Sequence, residues 1–312
     1  MLSQRDHGGG LDAAVSKYGG VRSDWVDLST GINPVPYSVP TLSNDAWTAL
    51  PDQAMANALI DAARRFWNVP QGADVLAAPG ASALIAQIPR LAQPGSVQIA
   101  APTYNEHAAS FQAHGWTVSD TPTATAQVLV HPNNPDGHVW NSSDITAPLS
   151  IVDESFCDVA PHHSLINHAT RSGTLVLKSF GKFWGLAGLR LGFAIGDPDL
   201  IARLKEMLGP WPVSGVALEV GAAALNDLDW AAQTRIRLAQ DAERLDATVC
   251  NRGATLLGGT SLFRLYQVDD AAQWQDKLAH GHVWSRIFPY ADNWIRLGLP
   301  APNDWAQVET AL

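Results

Sequence analysis

The sequence has few cysteines and few basic residues. Its 312 residues include two cysteines, Cys157 and Cys250, which are far apart and form no Cys-x-x-Cys pair. This argues against a disulfide framework and a cysteine-rich metal site, and it predicts a reducing cytoplasm as the compartment. Lysine and arginine number 20 against 30 acidic residues, giving a net charge of −10, and the basic residues do not cluster. We therefore expect no binding to nucleic acid or to an anionic membrane as a main activity.

Long apolar runs are also missing. No stretch of about 18 uninterrupted apolar residues occurs, which excludes a membrane-spanning helix of the usual kind. The first ten residues contain charged side chains and a glycine run, so we expect no signal peptide. The group His162, His163 and His168 has no companion cysteine or carboxylate at a metal-ligand spacing. We interpret it as a solvated loop and predict no metal.

The chain does contain enough apolar material for a large core, with 46% hydrophobic residues and 16% charged residues. Between Val75 and Ile195, short apolar runs alternate with helical or loop segments. Near-continuous apolar strands separated by crossovers predict an α/β fold with a mostly parallel sheet and helices on both faces. Ligand-binding residues then lie just beyond the carboxyl ends of the strands. The runs are at 75–78, 97–100, 116–118, 127–130, 149–152, 174–177 and 191–195.

We predict three parts of the chain from its composition and periodicity. Residues 1–42 are rich in glycine and proline and form an N-terminal arm that joins the small domain. Residues 43–208 form the large domain, and a helical pattern covers 44–68. Residues 209–312 form a small C-terminal α+β domain with two or three strands, preceded by one long helix from Val216 to Cys250.

The most specific motif runs from Ser179 through Lys182 and Arg190 to Gly192, and it follows the apolar strand at 174–177. A partly buried lysine beside an arginine is unprotonated part of the time and can form a Schiff base with a carbonyl cofactor. The serine hydroxyl and the guanidinium group can hold the phosphate of that cofactor. The alternative interpretation is a lysine and an arginine on a solvated loop.

Together with segments upstream, this motif resembles the pyridoxal-phosphate (PLP) enzymes of the aspartate aminotransferase fold, fold type I. The resemblance implies a large PLP-binding domain with a mostly parallel sheet and a small α+β domain. Each upstream segment alone also fits an ordinary turn, helix cap or core aromatic, but their common order favours the family. The segments are Ala78-Pro-Gly80-Ala81-Ser82, Ala101-Pro-Thr-Tyr104, Val128 to Gly137 around Asn134-Pro135, and Leu149-Ser-Ile-Val-Asp153-Glu154.

The resemblance also implies a role for each matching residue. Lys182 and Asp153 are the catalytic pair, with Lys182 binding PLP and Asp153 pairing with the protonated pyridine nitrogen. Asn134 donates to the ring oxygen of the cofactor, and Tyr104 stacks on the pyridine face. The phosphate-binding residues are Gly80, Ala81, Ser82, Ser179 and Arg190.

Substrate-binding residues follow from a closer resemblance, to the histidinol-phosphate aminotransferase branch and the related threonine-phosphate decarboxylases. Arg296 matches an arginine that binds the substrate α-carboxylate with two parallel N–H groups; the alternative is a surface ion pair. Arg286 matches an arginine that binds the substrate phosphate. His7 and Asn33 lie in N-terminal segments that look more like the decarboxylases. The implied partners are a small phosphorylated amino-acid substrate and a second copy of the chain in a homodimer.

The resemblance predicts decarboxylation of L-threonine O-3-phosphate to (R)-1-aminopropan-2-yl phosphate, a step of cobalamin biosynthesis. The alternatives are an aminotransferase of the histidinol-phosphate type and a non-catalytic partner that kept the fold. Three positions depart from the family pattern. Phe156 replaces a tyrosine that reaches the ring oxygen, Leu50 replaces a tyrosine that reaches the neighbouring subunit, and Gly181 replaces a serine or threonine. These departures predict a phosphate site with fewer donors than usual.

Overall fold

Short strands and helices alternate along most of the chain in the computed structural model, which describes residues 7–121 and 123–312. The strands are β1 (Val26–Asp27), β2 (Asp74–Ala78), β3 (Ser96–Ile99), β4 (Thr117–Ser119), β5 (Ala126–Val130), β6 (Leu149–Asp153), β7 (Thr174–Ser179), β8 (Gly192–Gly196), β9 (Thr255–Thr260), β10 (Phe263–Gln267), β11 (Val283–Trp284), β12 (Arg286–Phe288) and β13 (Ala291–Gly298). The α-helices are α1 (Leu11–Tyr18), α2 (Asp45–Thr48), α3 (Gln53–Phe66), α4 (Ala81–Gln87), α5 (Asn105–Ala113), α6 (Pro198–Leu208), α7 (Gly215–Asn226), α8 (Leu228–Cys250), α9 (Ala271–His280) and α10 (Trp305–Ala311).

The chain divides into two compact units. The large unit comprises Pro36–Asn134 and His138–Gln233, and the small unit comprises the described residues up to Val35, Pro135–Gly137 and Thr234–Leu312. The domain borders drawn from the sequence, after residues 42 and 208, stay a prediction.

The large unit is built on a seven-stranded sheet with the order β2-β8-β7-β6-β5-β3-β4. The pairs from β4 through β3, β5 and β6 to β7 are parallel, whereas β8 runs antiparallel to both of its neighbours. Every residue of β5, β6 and β8 is buried, as expected for strands that are covered on both faces. The predicted α/β class is therefore confirmed, and each of the seven apolar runs forms one of these strands.

The connections around the central strands differ from a regular α/β alternation. Between β5 and β7 the structure has short 3-10 helices, at Ser142–Asp144, Cys157–Val159, Pro161–His163 and Ile166–Thr170. The parallel register aligns Val130 of β5 with Asp153 of β6, and Asp153 with Leu177 of β7. The carboxyl ends of these three strands are therefore adjacent, which brings together the residues that follow them.

The small unit contains an antiparallel sheet with the order β12-β13-β10-β9 and a short parallel pair of β1 with β11. The pair β1–β11 places the N-terminal segment against the C-terminal part of the chain, with Val26 opposite Val283. The helix predicted over Val216 to Cys250 is wrong as a single element, because the chain forms α7 and α8 instead. Asp227 separates them, and its carboxylate accepts a hydrogen bond from the Trp230 N–H at 2.9 Å as a cap for α8.

Among the described residues, no helix is both long enough and apolar enough to cross a membrane.

Candidate active site

One pocket of the large unit collects most of the predicted cofactor-binding residues. Asn134 follows β5, Asp153 ends β6 and Lys182 follows β7, so the adjacent strand ends bring all three to this pocket. Gly80 is not among the described residues that line it. The predicted residues that do line it are Ala81, Ser82, Tyr104, Asn134, Asp153, Ser179, Lys182 and Arg190.

Asp153 is a buried carboxylate with a complete set of donors. His107 Nε2 lies 2.8 Å from Asp153 Oδ2, and both the backbone N–H and the hydroxyl of Ser155 donate to Oδ1, at 3.0 and 2.5 Å. Burial raises the pKa of Asp153, but the hydrogen bond and charge of His107 and the two hydrogen bonds of Ser155 outweigh it, so the pKa lies below its usual range. Asp153 is therefore an anion that can pair with a cationic group in the pocket.

His107 escaped the sequence analysis. It lies on α5, three residues after Tyr104, and its side chain is buried against Asp153. The signal was present, because residues three apart on a helix share a face and Tyr104 was already placed at the pocket. A lone histidine on a helix is nevertheless more often a core residue, so the spacing alone did not single it out.

Ser82, Ser179 and Arg190 form a group of donors at the pocket. Arg190 Nη2 donates to Ser82 Oγ at 3.0 Å, and the Gly181 N–H donates to Ser179 Oγ at 3.3 Å. Each hydroxyl oxygen thus accepts a bond from the protein and keeps its own hydrogen to donate. Two hydroxyl hydrogens beside a guanidinium group suit an anion such as phosphate.

Gly80 supports this group without lining the pocket. A Cβ at Gly80 would lie 2.6 Å from Arg190 Nη2, and its φ of +88° is in the region that favours glycine. Glycine therefore lets the Arg190 guanidinium approach the start of α4. The predicted contact of Gly80 with the cofactor stays a prediction.

Two neighbouring asparagines follow β5, and their side chains make different contacts. The Asn133 side chain is buried, accepts a hydrogen bond from Thr103 Oγ1 at 2.6 Å and donates to the Pro102 carbonyl at 3.0 Å. These two hydrogen bonds hold the turn after β5 against the loop before α5. Asn134 lines the pocket.

The loop that carries Lys182 is anchored by aromatic residues on both sides of it. Phe180 and Trp184 are fully buried and stack at 5.1 Å between ring centroids, and Trp184 stacks on Trp230 at 5.2 Å. Lys182 Nζ lies 5.3 Å from the centre of the Phe156 ring, a cation–π distance. Phe156, which stands where the family pattern has a tyrosine, therefore places its aromatic ring beside the Lys182 amine.

A second charged group, absent from the sequence prediction, includes Glu154, the residue that follows Asp153. Lys178 is buried at the end of β7 and donates to Glu154 Oε2 at 2.6 Å, with Asp158 Oδ1 at 3.5 Å. Burial lowers the pKa of Lys178, but the two carboxylates outweigh it and raise the pKa above its usual range. The group joins the segment after β6 to the end of β7. Asp153 is the last residue of β6, and Lys182 lies three residues after β7.

Ligand-type atoms of His131, Glu154 and Cys157 also lie close to one another. They are already bonded within the protein. His131 Nε2 pairs with the His163 carbonyl at 2.8 Å and Nδ1 accepts from the Trp140 N–H, while Glu154 accepts from Lys178. Burial raises the pKa of the Cys157 thiol, which disfavours the thiolate that a metal needs. We assign no metal to this group.

The predicted substrate-binding residues belong to the small unit. Arg286 of β12 and Arg296 of β13 are register partners in an antiparallel pair, so their side chains are on the same face of the sheet. Arg296 is buried, and its Nη2 donates to the Ser29 carbonyl at 2.6 Å. Like charges at facing positions are unfavourable unless an anion offsets them, which is consistent with the predicted role of both arginines.

The N-terminal segment approaches the same part of the small unit. A Cβ at Gly8 would lie 2.4 Å from the Ser29 carbonyl oxygen, and the Gly9 N–H donates to Ser29 Oγ at 2.6 Å. Ser29 is thus in contact with the segment after His7 and with Arg296. His7 itself is exposed. Asn33 is buried and its Oδ1 accepts from Arg237 and from the Val35 N–H. The substrate roles of these residues stay predictions.

Comparison with known proteins places this chain in a family. A family model described as "Aminotransferase class I and II" matches residues 23–312. The chain belongs to the class I and II aminotransferase family. This confirms the predicted family and fold class.

Relatives within the aminotransferase family are similar along nearly the whole chain. A threonine-phosphate decarboxylase of Sinorhizobium sp. is 38% identical over 318 aligned residues, which cover 95% of this chain and 93% of that protein. Another from Pseudomonas aeruginosa is 36% identical over 326 aligned residues, covering 98% and 97%. The solved structure of histidinol-phosphate aminotransferase from Sinorhizobium meliloti in complex with pyridoxal-5'-phosphate has a TM-score of 0.81 at 17% identity, covering 99% of this chain and 94% of that one.

Proposed function

We propose that this chain is a PLP-dependent lyase that decarboxylates L-threonine O-3-phosphate to (R)-1-aminopropan-2-yl phosphate, a step of cobalamin biosynthesis. The observation that carries the proposal is the single pocket that unites Lys182, an ionised Asp153 and the donors around Arg190. The two decarboxylases that are 38% and 36% identical to this chain favour this reaction over transamination.

The residues of the pocket fit PLP. The cofactor has a carbonyl group, a ring nitrogen that can be protonated and a phosphate. Lys182 would bind the carbonyl group, the Asp153 carboxylate would pair with the protonated ring nitrogen, and Tyr104 would stack on the ring. The donors Ser82, Ser179 and Arg190 would hold the phosphate. When bound, PLP supplies an electron sink for the electron pair left by a broken bond to the substrate Cα.

The chain's own residues prepare this chemistry in three ways. His107 and Ser155 keep Asp153 ionised, so a positive charge on its partner is stabilised. The buried group around Lys178 holds the two strand ends at fixed register. The aromatic stack of Phe180, Trp184 and Trp230 orders the loop on either side of Lys182.

In the proposed reaction, the bond between Cα and the carboxylate carbon breaks and CO2 leaves. A proton then takes its place at Cα, and the Lys182 amine is the candidate to deliver it because it lines the pocket. Arg286 and Arg296 would bind the anionic groups of the substrate, since each guanidinium offers parallel N–H donors to a phosphate or carboxylate.

The decisive experiment measures CO2 release from L-threonine O-3-phosphate by the PLP-loaded protein. We expect CO2 release in the wild type and its loss in Lys182→Ala, with Lys205→Ala, an exposed lysine of α6, as the matched control. Formation of glutamate from histidinol phosphate and 2-oxoglutarate, without CO2 release, would instead identify the aminotransferase alternative.

A non-catalytic partner that kept the fold is the third possibility. Visible absorbance of bound PLP that disappears in Lys182→Ala argues against it. The absence of such absorbance in the wild type, together with no turnover of either substrate, would favour it.

We further propose a homodimer in the cytoplasm. The two free thiols, far apart in sequence, suit a reducing compartment. Exposed apolar side chains of the large unit are the candidate dimer surface: Val39, Trp47, Leu50, Trp211 and Leu228. Light scattering should give a dimer for the wild type and a monomer for the double variant Trp47→Glu, Trp211→Glu. Ile236→Glu, an exposed apolar position of the small unit, should stay dimeric. A monomeric wild type would contradict the proposal.

A further inference from the structure

Asn133 joins two loops of the large unit. Its Oδ1 accepts from Thr103 Oγ1 at 2.6 Å, and its Nδ2 donates to the Pro102 carbonyl at 3.0 Å. A carbonyl can only accept, so the amide atom bonded to Pro102 must be the nitrogen, and the oxygen remains for the Thr103 hydroxyl. Both polar atoms of this buried amide are therefore bonded to the loop before α5.

The backbone of Asn133 belongs to a closed turn. Its N–H donates to the His138 carbonyl at 2.8 Å, so the chain between these two residues folds back on itself after β5. Asn134 is the next residue, and it lines the pocket. Because the backbone and the side chain of Asn133 are both bonded, the Asn134 side chain extends from a fixed point.

The loop before α5 also leads to the pocket. Thr103 is followed by Tyr104, which lines the pocket and directly precedes α5. The Tyr104 ring contacts His107 edge-on, with 6.1 Å between ring centroids, and His107 contacts Asp153. The bond from Thr103 to Asn133 thus connects two loops at positions that are each one residue away from a pocket residue.

The sheet alone does not fix the distance between these two loops. The strands β3 and β5 are parallel neighbours, but their pairing ends at Ile99 and Val128, several residues before Tyr104 and Asn134. In the predicted cofactor site, Tyr104 stacks on the ring face and Asn134 donates to the ring oxygen. A face contact and an edge contact fit one planar ring only when their separation is held constant.

We propose that Thr103 and Asn133 are positioning residues whose hydrogen bond holds the Tyr104 ring and the Asn134 amide at the separation that the PLP ring requires. The inference deepens the proposed function and rests on it, because it takes PLP as the ligand of the pocket. It gives Asn133 a task that differs from the task of its neighbour Asn134, since Asn133 acts through other residues.

Thr103→Val tests the proposal, because valine has nearly the shape of threonine but lacks the hydroxyl. Hydrogen bonds that orient the ligands of a bound metal are worth roughly 10- to 100-fold in affinity. By the same reasoning, we expect the dissociation constant of PLP, measured from the visible absorbance of the bound cofactor, to rise about tenfold. Thr103→Ser keeps the hydroxyl and should retain the wild-type value.

The pH dependence of that absorbance separates positioning from a loss of stability. A donor to the ring oxygen stabilises its anionic form, so displacement of the Asn134 amide raises the pH at which the absorbance changes. We expect this midpoint to rise in Thr103→Val and in Asn134→Ala, and to rise no further when the two changes are combined. The charged groups that line the pocket are the same in every variant: Asp153, Lys182 and Arg190.

Thr125→Val is the matched control. Thr125 Oγ1 also donates a hydrogen bond, to the Ser96 carbonyl at 3.1 Å, but from an exposed position of the same unit. The change therefore removes the same hydroxyl from the same type of residue. We expect the dissociation constant of PLP and the pH midpoint of this variant to equal those of the wild type.

A double variant decides the matter if Thr103→Val unfolds at a much lower temperature than the control. Thr103→Val with Asn133→Leu replaces both partners by apolar groups of similar shape, so the Asn133 oxygen is no longer buried without this donor. Stability should recover in part, whereas PLP binding stays weak and the midpoint stays high.

Wild-type affinity and a wild-type midpoint in both the single and the double variant would overturn the inference. These readouts need no turnover, so they decide it even if the wild type binds PLP and releases no CO2. That last result would contradict the proposed reaction alone.

Discussion

At the scale of single residues, the ionisation of Asp153 decides whether it can take its proposed place opposite a cationic group in the pocket. Burial alone would favour the neutral acid, which could not stabilise a protonated ring nitrogen. His107 and Ser155 reverse that preference with three hydrogen bonds. The function of Asp153 is thus shared with a histidine on another element, α5, that does not line the pocket.

Removing His107 should change the pH dependence of activity in a defined direction. His107 lowers the pKa of Asp153, so in His107→Phe that pKa rises and the carboxylate is protonated at a higher pH. We expect the acid limb of the kcat/KM profile to move to higher pH. At neutral pH, kcat/KM should fall about 10- to 100-fold, as for loss of a hydrogen bond to a charged group.

His114→Phe serves as the control for this prediction. His114 follows the same helix, but its Nδ1 contacts the Ser110 carbonyl at 2.8 Å and not Asp153. A profile of His107→Phe that coincides with the wild type and with this control would show that His107 does not act on the carboxylate.

At the scale of elements, the buried group of Lys178, Glu154 and Asp158 joins the ends of β6 and β7. A buried ion pair adds little net stability over apolar residues, but removing one partner leaves an unpaired buried charge. Asp158 is also fixed by the Trp67 indole N–H at 2.8 Å. The group therefore joins the segment after β6 to the end of β7 through buried contacts that depend on all of its members.

Lys178→Met should destabilise the protein strongly because Glu154 would lose its buried counter-ion. We expect the free energy of unfolding to fall by about 3–5 kcal/mol in urea denaturation. Adding Glu154→Gln to the same variant should recover part of that loss. Lys205→Met, at an exposed position of α6, should change stability by less than about 0.5 kcal/mol. A loss in Lys178→Met no larger than that of this control would contradict the argument.

The strands were predictable from the sequence because burial on both faces leaves continuous apolar runs. The strand-end positions of Asn134, Asp153 and Lys182 followed from them and from the family motif. Lys178 was not predictable in the same way, because a lysine after an apolar run normally marks the end of the buried segment. The break between α7 and α8 depends on one aspartate cap, a signal that occurs at many positions without ending a helix.

At the scale of the whole molecule, the two compact units divide the predicted residues by task. The predicted cofactor-binding residues are in the large unit, and the predicted substrate-binding residues His7, Asn33, Arg286 and Arg296 are in the small unit. The small unit combines both ends of the described chain. The contacts of Ser29 and Arg237 depend on residues more than 200 positions apart, so no local pattern predicts them.

Global stability should decrease as the pH falls below neutrality. Burial lowers the pKa of His131 in the folded state, and the pKa of His163 is lowered in the same direction. A group with a depressed folded pKa contributes stability above its unfolded pKa, about 6.5 for histidine. This contribution is lost as the pH falls toward the folded pKa, because the unfolded chain binds the proton first.

Urea denaturation between about pH 7.5 and 5 tests this prediction, since the slope reports protons taken up on unfolding. His131→Gln keeps a polar side chain but cannot titrate, so its free energy of unfolding should fall less steeply than that of the wild type. Equal slopes for the two proteins would rule out His131 as a source of the acid sensitivity.

The facing arginines of β12 and β13 affect how the protein should be handled. In the proposed function these arginines bind the anionic groups of the substrate, so sulfate or phosphate in a purification buffer would compete with the substrate for them. Kinetic constants measured in such buffers would then describe competition with the salt. Preparations dialysed into chloride at moderate ionic strength should show a lower apparent KM.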